Sequence, residues 1–462
     1  MRKKIVIIGG GPAGIEAARA AIIAGAQVTL VSNAPLGGRA GWHSLLPSKA
    51  WLALAGAVAQ VGDAGILGLD LDGGMSIDAT VVLDRIRQLA KERSYAHTDQ
   101  LDSLGVRFVL ADAAFLAPDQ LQAVWKVGNR TTTLTADAYI IAAGSVPVFP
   151  AGLKPDGQRI LAPRFAKHLE KLPQSIVVIG AGATGAEFTY LFSHLGVEVT
   201  WLVDEFGVLP SFHRVAAEFL AESLQEWGVR LIHNQVATHI DSHEQGVVVH
   251  TAAGERFPAE AAFVAIGRVP DLEALDLARA GLPPAGVIPT DGYGRTSQPH
   301  IYLVGDAAGP PMIANRATAQ AWVAGRHAAG AATPPFRPES LVAAVYTEPQ
   351  IAQVGSLSSD YEHVRLSYDQ NLKARLLPEG HGFLEMTYHT LTGQIMGGVA
   401  VGAHAADIVT PIAQAIHSGA TLDALAALYP PPPPPHRGCA PPPKKKKKKT
   451  PPPKPQQKAI PA

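Results

Sequence analysis

IVIIGGGPAGIEAARAAIIAGAQVTLVS, running from Ile5 to Ser32, is the stretch on which the fold turns. Its first four residues are continuously apolar and all β-branched, the composition of a strand buried on both faces of a parallel sheet. Gly9, Gly11 and Gly14 then spell GxGxxG immediately before an alanine-rich helical segment, and QVTLVS reads as the next strand. This is a βαβ unit whose glycines allow a tight turn and the close approach of a pyrophosphate, met by free N–H groups at the helix start. An acid on the ribose is expected about 20 residues further on. Here the second strand ends at Ser32 and Asn33, and a hydroxyl serves the same hydrogen bond.

The pattern recurs. SIVVIGAGATGAEFTYLFSHLGVEVTWLVD, Ser175 to Asp204, repeats strand, glycine turn, helix and strand, with Gly180, Gly182 and Gly185 in the turn. Its second strand runs into Asp204 and Glu205, acids that accept from a free 2′-hydroxyl and repel a 2′-phosphate, which favours NADH while leaving NADPH possible. Between the copies, TADAYIIAAGSVPVFP reads as a strand and a Pro/Gly-rich turn. AAFVAIGRVPD closes the second unit, and GRTSQPHIYLVGDAAG supplies a further strand. From about Pro334, SLVAAVYTEPQIAQVG and HGFLEMTYHTLTGQIMGGVAVG predict an antiparallel sheet with helices, with TLTGQ as a hairpin turn.

After Tyr429 the chain passes into a proline run and a lysine run, which favour extended, solvated backbone and predict a disordered tail. Eight lysines and one arginine lie in its last 26 residues; removing those nine from the total of 39 leaves 30 basic against 39 acidic residues, a net of −9 for the body. A body of that sign is not expected to bind nucleic acid. The lysine run is a candidate contact for anionic surfaces. No apolar run is long enough to cross a bilayer, and the opening strand breaks into glycine too soon for a signal peptide, so a cytoplasmic protein is expected. The one cysteine, Cys439, excludes an intrachain disulfide.

The two nucleotide units, GGGPAG, the GG…PSK phrase of residues 37–49, AAGSVPVFP, AIGRVPD, GRTSQPHIYLVGDAAG and YTEPQIAQVG closely resemble, in order and spacing, the FAD-dependent pyridine nucleotide-disulfide oxidoreductases, which include dihydrolipoamide dehydrogenase and glutathione reductase. The resemblance spans roughly residues 3 to 429. It implies an α/β protein with two Rossmann-like dinucleotide-binding domains: residues 1–150 with 268–333 for FAD, and 151–267 for NAD(P)H. A C-terminal α+β dimerisation domain (334–429) would pair two copies as a homodimer, with the tail at 430–462. Carried over residue by residue, the FAD contacts are Gly9, Gly11, Gly14, Ser32, Gly38, Lys49, Ala113, Gly144, Gly305 and Asp306, with Met312, Ile313, Ala314 and Asn315 beside the isoalloxazine. Gly180, Gly182, Gly185, Glu187, Asp204, Val236 and Gly267 would face the nicotinamide nucleotide. No metal is implied.

The departures from the family pattern bear on activity. The family's paired cysteines fall at Ala40 and Leu45, which have nothing to ionise. Its C-terminal histidine base and the glutamate behind it fall at Pro432 and near Arg437, with His436 as a displaced candidate. The dithiol half of the chemistry is therefore absent. The other half is kept: the family's lysine and glutamate beside flavin N5 are Lys49 and Glu187, and two opposite charges of this kind are costly to bury except as a pair. The aromatic gate of many relatives falls at Ala183. In place of the disulfide stand Trp42, a stacking surface for a planar acceptor, and His43, a candidate proton donor; alternatively Trp42 and Leu45 only fill the vacated space. The expectation is an NADH oxidoreductase that delivers electrons to a small-molecule acceptor other than a disulfide, such as a quinone, with enones and acyl thioesters as further candidates. A silent flavin-binding scaffold or sensor is the alternative, and a reductase using Cys439 in trans is the least supported.

Overall fold

The computed structural model describes residues 2–70, 75–128, 130–284, 286–376 and 380–428. The tail, with Pro432, His436, Arg437 and Cys439, lies outside the described residues. The opening apolar run forms the strand Lys4–Ile8, paired in parallel with Gln27–Ser32 on one side and Ala138–Ile141 on the other. Because side chains alternate across a strand, Ile5 and Ile7 enter one core with the helices while Val6 and Ile8 enter a second core on the opposite face. Burial on both faces is why the run carries no polar residue. Ile301–Leu303 and Arg107–Ala117 extend the sheet in parallel at either side, and Gln120–Trp125 and Thr131–Thr135 add an antiparallel end, giving seven strands. Helices Pro12–Ile23 and Ala314–Ala328 pack tightly on one face: a Cβ on Gly325 would lie 2.5 Å from the carbonyl oxygen of Ala17.

The second unit repeats this logic in a parallel sheet of five strands, ordered Arg230–Ile232, Glu198–Leu202, Ser175–Ile179, Ala261–Val264 and Ile160–Leu161. Ile176 and Val178 face one core, Val177 and Ile179 another. An antiparallel sheet of Ala237–His243, Gly246–Thr251 and Arg256–Ala259 covers its second face. The chain leaves the first unit and returns to it through the paired strands Ser145–Pro147 and Arg268–Pro270. A third, largely antiparallel sheet has the order Ala343–Val345, Ile351–Gly355, Ile395–Val401, Phe383–Tyr388 and Glu362–Ser367. The TLTGQ turn does join a hairpin, with Tyr388 opposite Ile395, and helix Ala405–Ser418 packs against this sheet. Among the described residues no helix is long and apolar enough to cross a membrane.

Candidate active site

Each glycine turn is a place where a side chain has no room. A Cβ on Gly9, whose φ is +113°, would lie 2.3 Å from the Ala142 carbonyl oxygen, and one on Gly14 would lie 1.8 Å from that of Gly9. At Gly180, with φ of +112°, and Gly185 the corresponding approaches are 2.4 Å to Ala265 and 1.9 Å to Gly180. Gly14 and Gly185 thus bring helix against strand, and the middle glycines face outward: Gly11 and Gly182 precede their helices in extended conformation, with no side-chain cap and open space where a Cβ would stand. The first N–H groups of a helix have no partner within the helix, so both turns present donors and a positive dipole end to an incoming pyrophosphate. The residues present therefore fit two dinucleotides.

A cleft of about 990 Å³ opens above the first turn. Gly9, Gly11, Ser32, Gly38, Lys49, Gly144, Glu187, Asp306, Met312, Ile313, Ala314 and Asn315 line it, together with Trp42 and His43. Of the other expected contacts, Gly14 and Gly305 sit one layer behind, the Gly305 N–H donating to Gln320 Oε1 at 3.0 Å. Ala113 lies in the strand Arg107–Ala117 opposite Ala123, away from the cleft lining. The Ser32 hydroxyl donates to the Ala34 carbonyl at 2.8 Å and accepts the Ala34 N–H at 3.4 Å, which leaves one lone pair to accept from a ribose. Asp306 accepts from Ser145 Oγ at 2.6 Å, and Ser145 Oγ in turn accepts from Arg268 Nε at 2.7 Å. Burial lowers the Arg268 pKa, and Asp306 opposes that shift. The buried Arg316 guanidinium donates to the carbonyls of Gly309 at 2.5 Å and Pro311 at 2.9 Å, shaping the turn that presents Met312.

Lys49, on helix Leu45–Gly62, and Glu187, on helix Ala183–His194, meet across 138 residues of sequence with Nζ and Oε1 2.6 Å apart. Glu187 is 7% exposed. The same oxygen accepts the main-chain N–H of Tyr346 at 3.1 Å, and Lys49 Nζ lies 4.5 Å from the centre of the Tyr346 ring. A residue beside the third sheet thus anchors the pair on both charges, a contact that the sequence reading missed although Tyr346 opens the YTEPQ phrase. The lysine helix is itself pinned by Trp51, fully buried, whose indole donates to the Ala166 carbonyl at 2.6 Å.

Of the two cysteine positions, Ala40 lies in a short helix, Gly38–Trp42, and Leu45 opens the helix Leu45–Gly62. The half-buried Trp42 lines the cleft, its indole N–H donating to the Leu36 carbonyl at 3.0 Å. Arg39 pairs with Asp271, a contact absent from the sequence reading. Leu45, 43% exposed, lines the same cleft. His43 closes the short helix; burial first, then the positive charges of Lys167, Arg39, His168 and Arg164, lower its pKa. It rests as neutral imidazole at neutral pH, able to donate one ring N–H hydrogen bond.

A second cleft, of about 1470 Å³, is lined by Gly180, Gly182, Asp204 and Gly267 and reaches the third sheet at Gln353. Gly185 lies behind it, and Val236, 49% exposed, lies outside its lining. Asp204 Oδ1 accepts the Phe206 N–H at 3.1 Å, holding the carboxylate at the strand end. Ala183, Thr184, Arg268, Met312 and Ile313 line both clefts, so the two cavities share a wall near the Lys49–Glu187 pair.

The architecture has close counterparts. The family model of the pyridine nucleotide-disulphide oxidoreductases matches residues 3–321, and that of the same family's dimerisation domain matches residues 341–438. An NAD(P)H dehydrogenase (quinone) of Mycobacterium tuberculosis is 33% identical over 452 residues, 93% of this chain and 92% of that protein. Dihydrolipoyl dehydrogenase 2 of Haloarcula marismortui is 29% identical, covering 92% of each chain. Among solved structures, LpdA from M. tuberculosis superposes with a TM-score of 0.86 at 32% identity, covering 93% of this chain and 96% of its own. The flavoprotein disulfide reductase RclA of Escherichia coli shares the fold, with a TM-score of 0.80 at 21% identity over 93% of this chain and 97% of its own. With its two glycine turns, contiguous clefts and dimerisation domain, and with one cysteine where dithiol chemistry needs a pair, this chain belongs to the pyridine nucleotide-disulphide oxidoreductase family as an FAD- and NAD(P)H-dependent oxidoreductase without dithiol chemistry.

Proposed function

We propose that the chain works as a homodimeric NADH oxidoreductase that passes electrons from bound FAD directly to a quinone or another flat conjugated acceptor. The observation that carries this reading is the retained Lys49–Glu187 pair at the junction of the two clefts, beside a segment with Ala40 and Leu45 at the cysteine positions. The quinone preference draws support from the mycobacterial relative named NAD(P)H dehydrogenase (quinone).

In this assignment residues 1–150 and 268–333 hold FAD, 151–267 hold the nicotinamide nucleotide, and 334–429 pair two copies. FAD, when bound, supplies the two-electron chemistry that links nicotinamide to acceptor. The chain supplies position and charge. The turn at Gly9 and Gly11 receives the pyrophosphate, and the Asp306–Ser145–Arg268 chain fixes the floor of the cleft. Lys49, held by Glu187 and Tyr346, places a cation at a defined point, so no charged side chain has to reorganise during transfer. Ala183 leaves the junction open to the nicotinamide. On the acceptor side Trp42 offers a fixed aromatic face, and the neutral His43 donates a hydrogen bond to an acceptor oxygen that gains charge.

Anaerobic stopped-flow mixing with NADH, and separately with NADPH, tests the first half: rapid bleaching of the flavin is expected, faster with NADH. Reoxidation by a panel of quinones, enones, disulfides and oxygen tests the second, with quinones fastest and disulfides inert. A flavin that stays oxidised under NADH would replace this reading with the scaffold alternative. His43→Ala is expected to slow quinone reoxidation without slowing bleaching; unchanged reoxidation would remove His43 from the mechanism.

A further inference from the structure

The antiparallel sheet of the second unit carries a side-chain group that neither cleft uses. Ile240 and Val249 point into the core beneath it, so the residues alternating with them face outward. A register irregularity between Ala237 and His239 sets His239 opposite His250, while Asp241, two residues along the same strand, falls on the same face. The two imidazoles stack with centroids 4.1 Å apart and planes 9° from parallel, so their in-plane lone pairs do not converge as they stand, and joint ligation requires the exposed His239 ring to turn out of the stack. One ligating atom from each of His239, Asp241 and His250 can be chosen so that all lie within 4.8 Å of one another.

We propose that this hairpin face binds a divalent transition-metal ion, with Zn²⁺ as the reference ligand, through His239, Asp241 and His250. Two features support ligation beyond proximity. First, His250 Nε2 and Asp241 Oδ2 are 2.9 Å apart, a hydrogen bond that must open only to the roughly 3.4 Å between tetrahedral ligands each about 2.1 Å from one ion. The ion would take the place of the proton they share. Second, the Thr238 hydroxyl oxygen lies 3.2 Å from both the His250 carbonyl oxygen and His239 Nδ1, within hydrogen-bond reach of each. In the tautomer with the proton on Nδ1, His239 donates to that hydroxyl oxygen and its free lone pair falls on Nε2, the outer-sphere arrangement common to metal-bound histidines. Two imidazoles and a carboxylate suit Zn²⁺, Ni²⁺ or Cu²⁺ rather than Mg²⁺ or Ca²⁺, and the exposed face leaves water to fill the remaining positions. Arg256, opposite His250 on the neighbouring strand, is the nearest cation on this face by register; its exposure lets solvent screen it.

The test is calorimetric titration of the FAD-loaded full chain with ZnCl₂ after chelator treatment, beside His239→Ala, His250→Ala and Asp241→Asn. The expected result is one saturable event in the parent that weakens about tenfold or more in each histidine variant. Histidines elsewhere, including His436 in the tail, are the same in all four proteins, so equal binding by parent and variants would overturn the site. Absence of saturable binding in the parent would do the same. Should a variant fail to fold, the parent alone decides: Zn²⁺ is expected to shield His239 and His250 from diethyl pyrocarbonate while His404 stays reactive, and equal modification of all three would reject the proposal.

Discussion

The two nucleotide units are built on one plan at a constant offset of 171 positions: Gly9 answers to Gly180, Gly14 to Gly185 and Ile23 to His194. Their strained glycine contacts agree to within about 0.1 Å, which shows how completely the backbone of this turn is dictated by close helix–strand approach. They differ in what surrounds the turn. The first unit ends its second strand with a hydroxyl, Ser32, committed to its own turn, and borrows polar groups from distant segments, Ser145, Arg268 and Asp306. The second ends in a carboxylate, Asp204, and carries buried polar groups on its own helix, Glu187 and His194. A repeated backbone thus holds two chemistries, and the difference resides in side chains near it.

The largest expected effect separates the two turns. Gly180→Val is expected to give a protein that keeps its flavin absorbance but is no longer bleached by NADH, whereas Gly9→Val is expected to lose flavin altogether. Flavin absorbance per chain, followed by stopped flow, measures both, and loss of flavin from Gly180→Val would show that the units do not act separately. Next in size, Lys49→Met or Glu187→Gln is expected to slow NADH-driven bleaching by about 10²-fold, the scale of losing one preorganised charge, with a smaller change in nucleotide affinity.

A third prediction uses the helix ends. Ile23 is exposed, while His194 at the equivalent position is buried against Trp227, and burial lowers its pKa from 6.5 to about 4. Well above pH 6.5 both folded and unfolded chains leave this group neutral. As pH falls toward 4 the unfolded chain takes up a proton that the folded one refuses, so stability drops, by on the order of 3 kcal/mol for this group alone. Urea unfolding at pH 7 and pH 4.5, compared between parent and His194→Leu, is expected to show a smaller acid penalty in the variant. The smallest effect concerns the strand end: Asp204→Ala is expected to narrow the preference for NADH over NADPH by about tenfold, read from bleaching rates with each nucleotide, because the change removes repulsion of a 2′-phosphate without adding a cation.

Much of the fold was legible because its signals are local. The IVII and IVVI runs, the glycine spacing and the TLTGQ turn each follow from sterics or burial within a few residues. The site was legible only in part. Lys49 and Glu187 were paired through family resemblance, since nothing in their own neighbourhoods shows that they meet. Tyr346 and the Ser145–Asp306–Arg268 chain went unseen because each contact joins segments more than 100 residues apart.

By itself, then, the sequence determined the two glycine turns and their strands, because a Cβ has no room there, and it excluded dithiol chemistry, because one cysteine cannot form a pair. Only the tertiary structure decided which donors share the Glu187 oxygen, which histidines stack across a hairpin and where two clefts come side by side. Those outcomes depend on how sheets and helices from remote parts of the chain are brought within about 3 Å, a distance at which hydrogen bonds form and which local residue patterns do not encode.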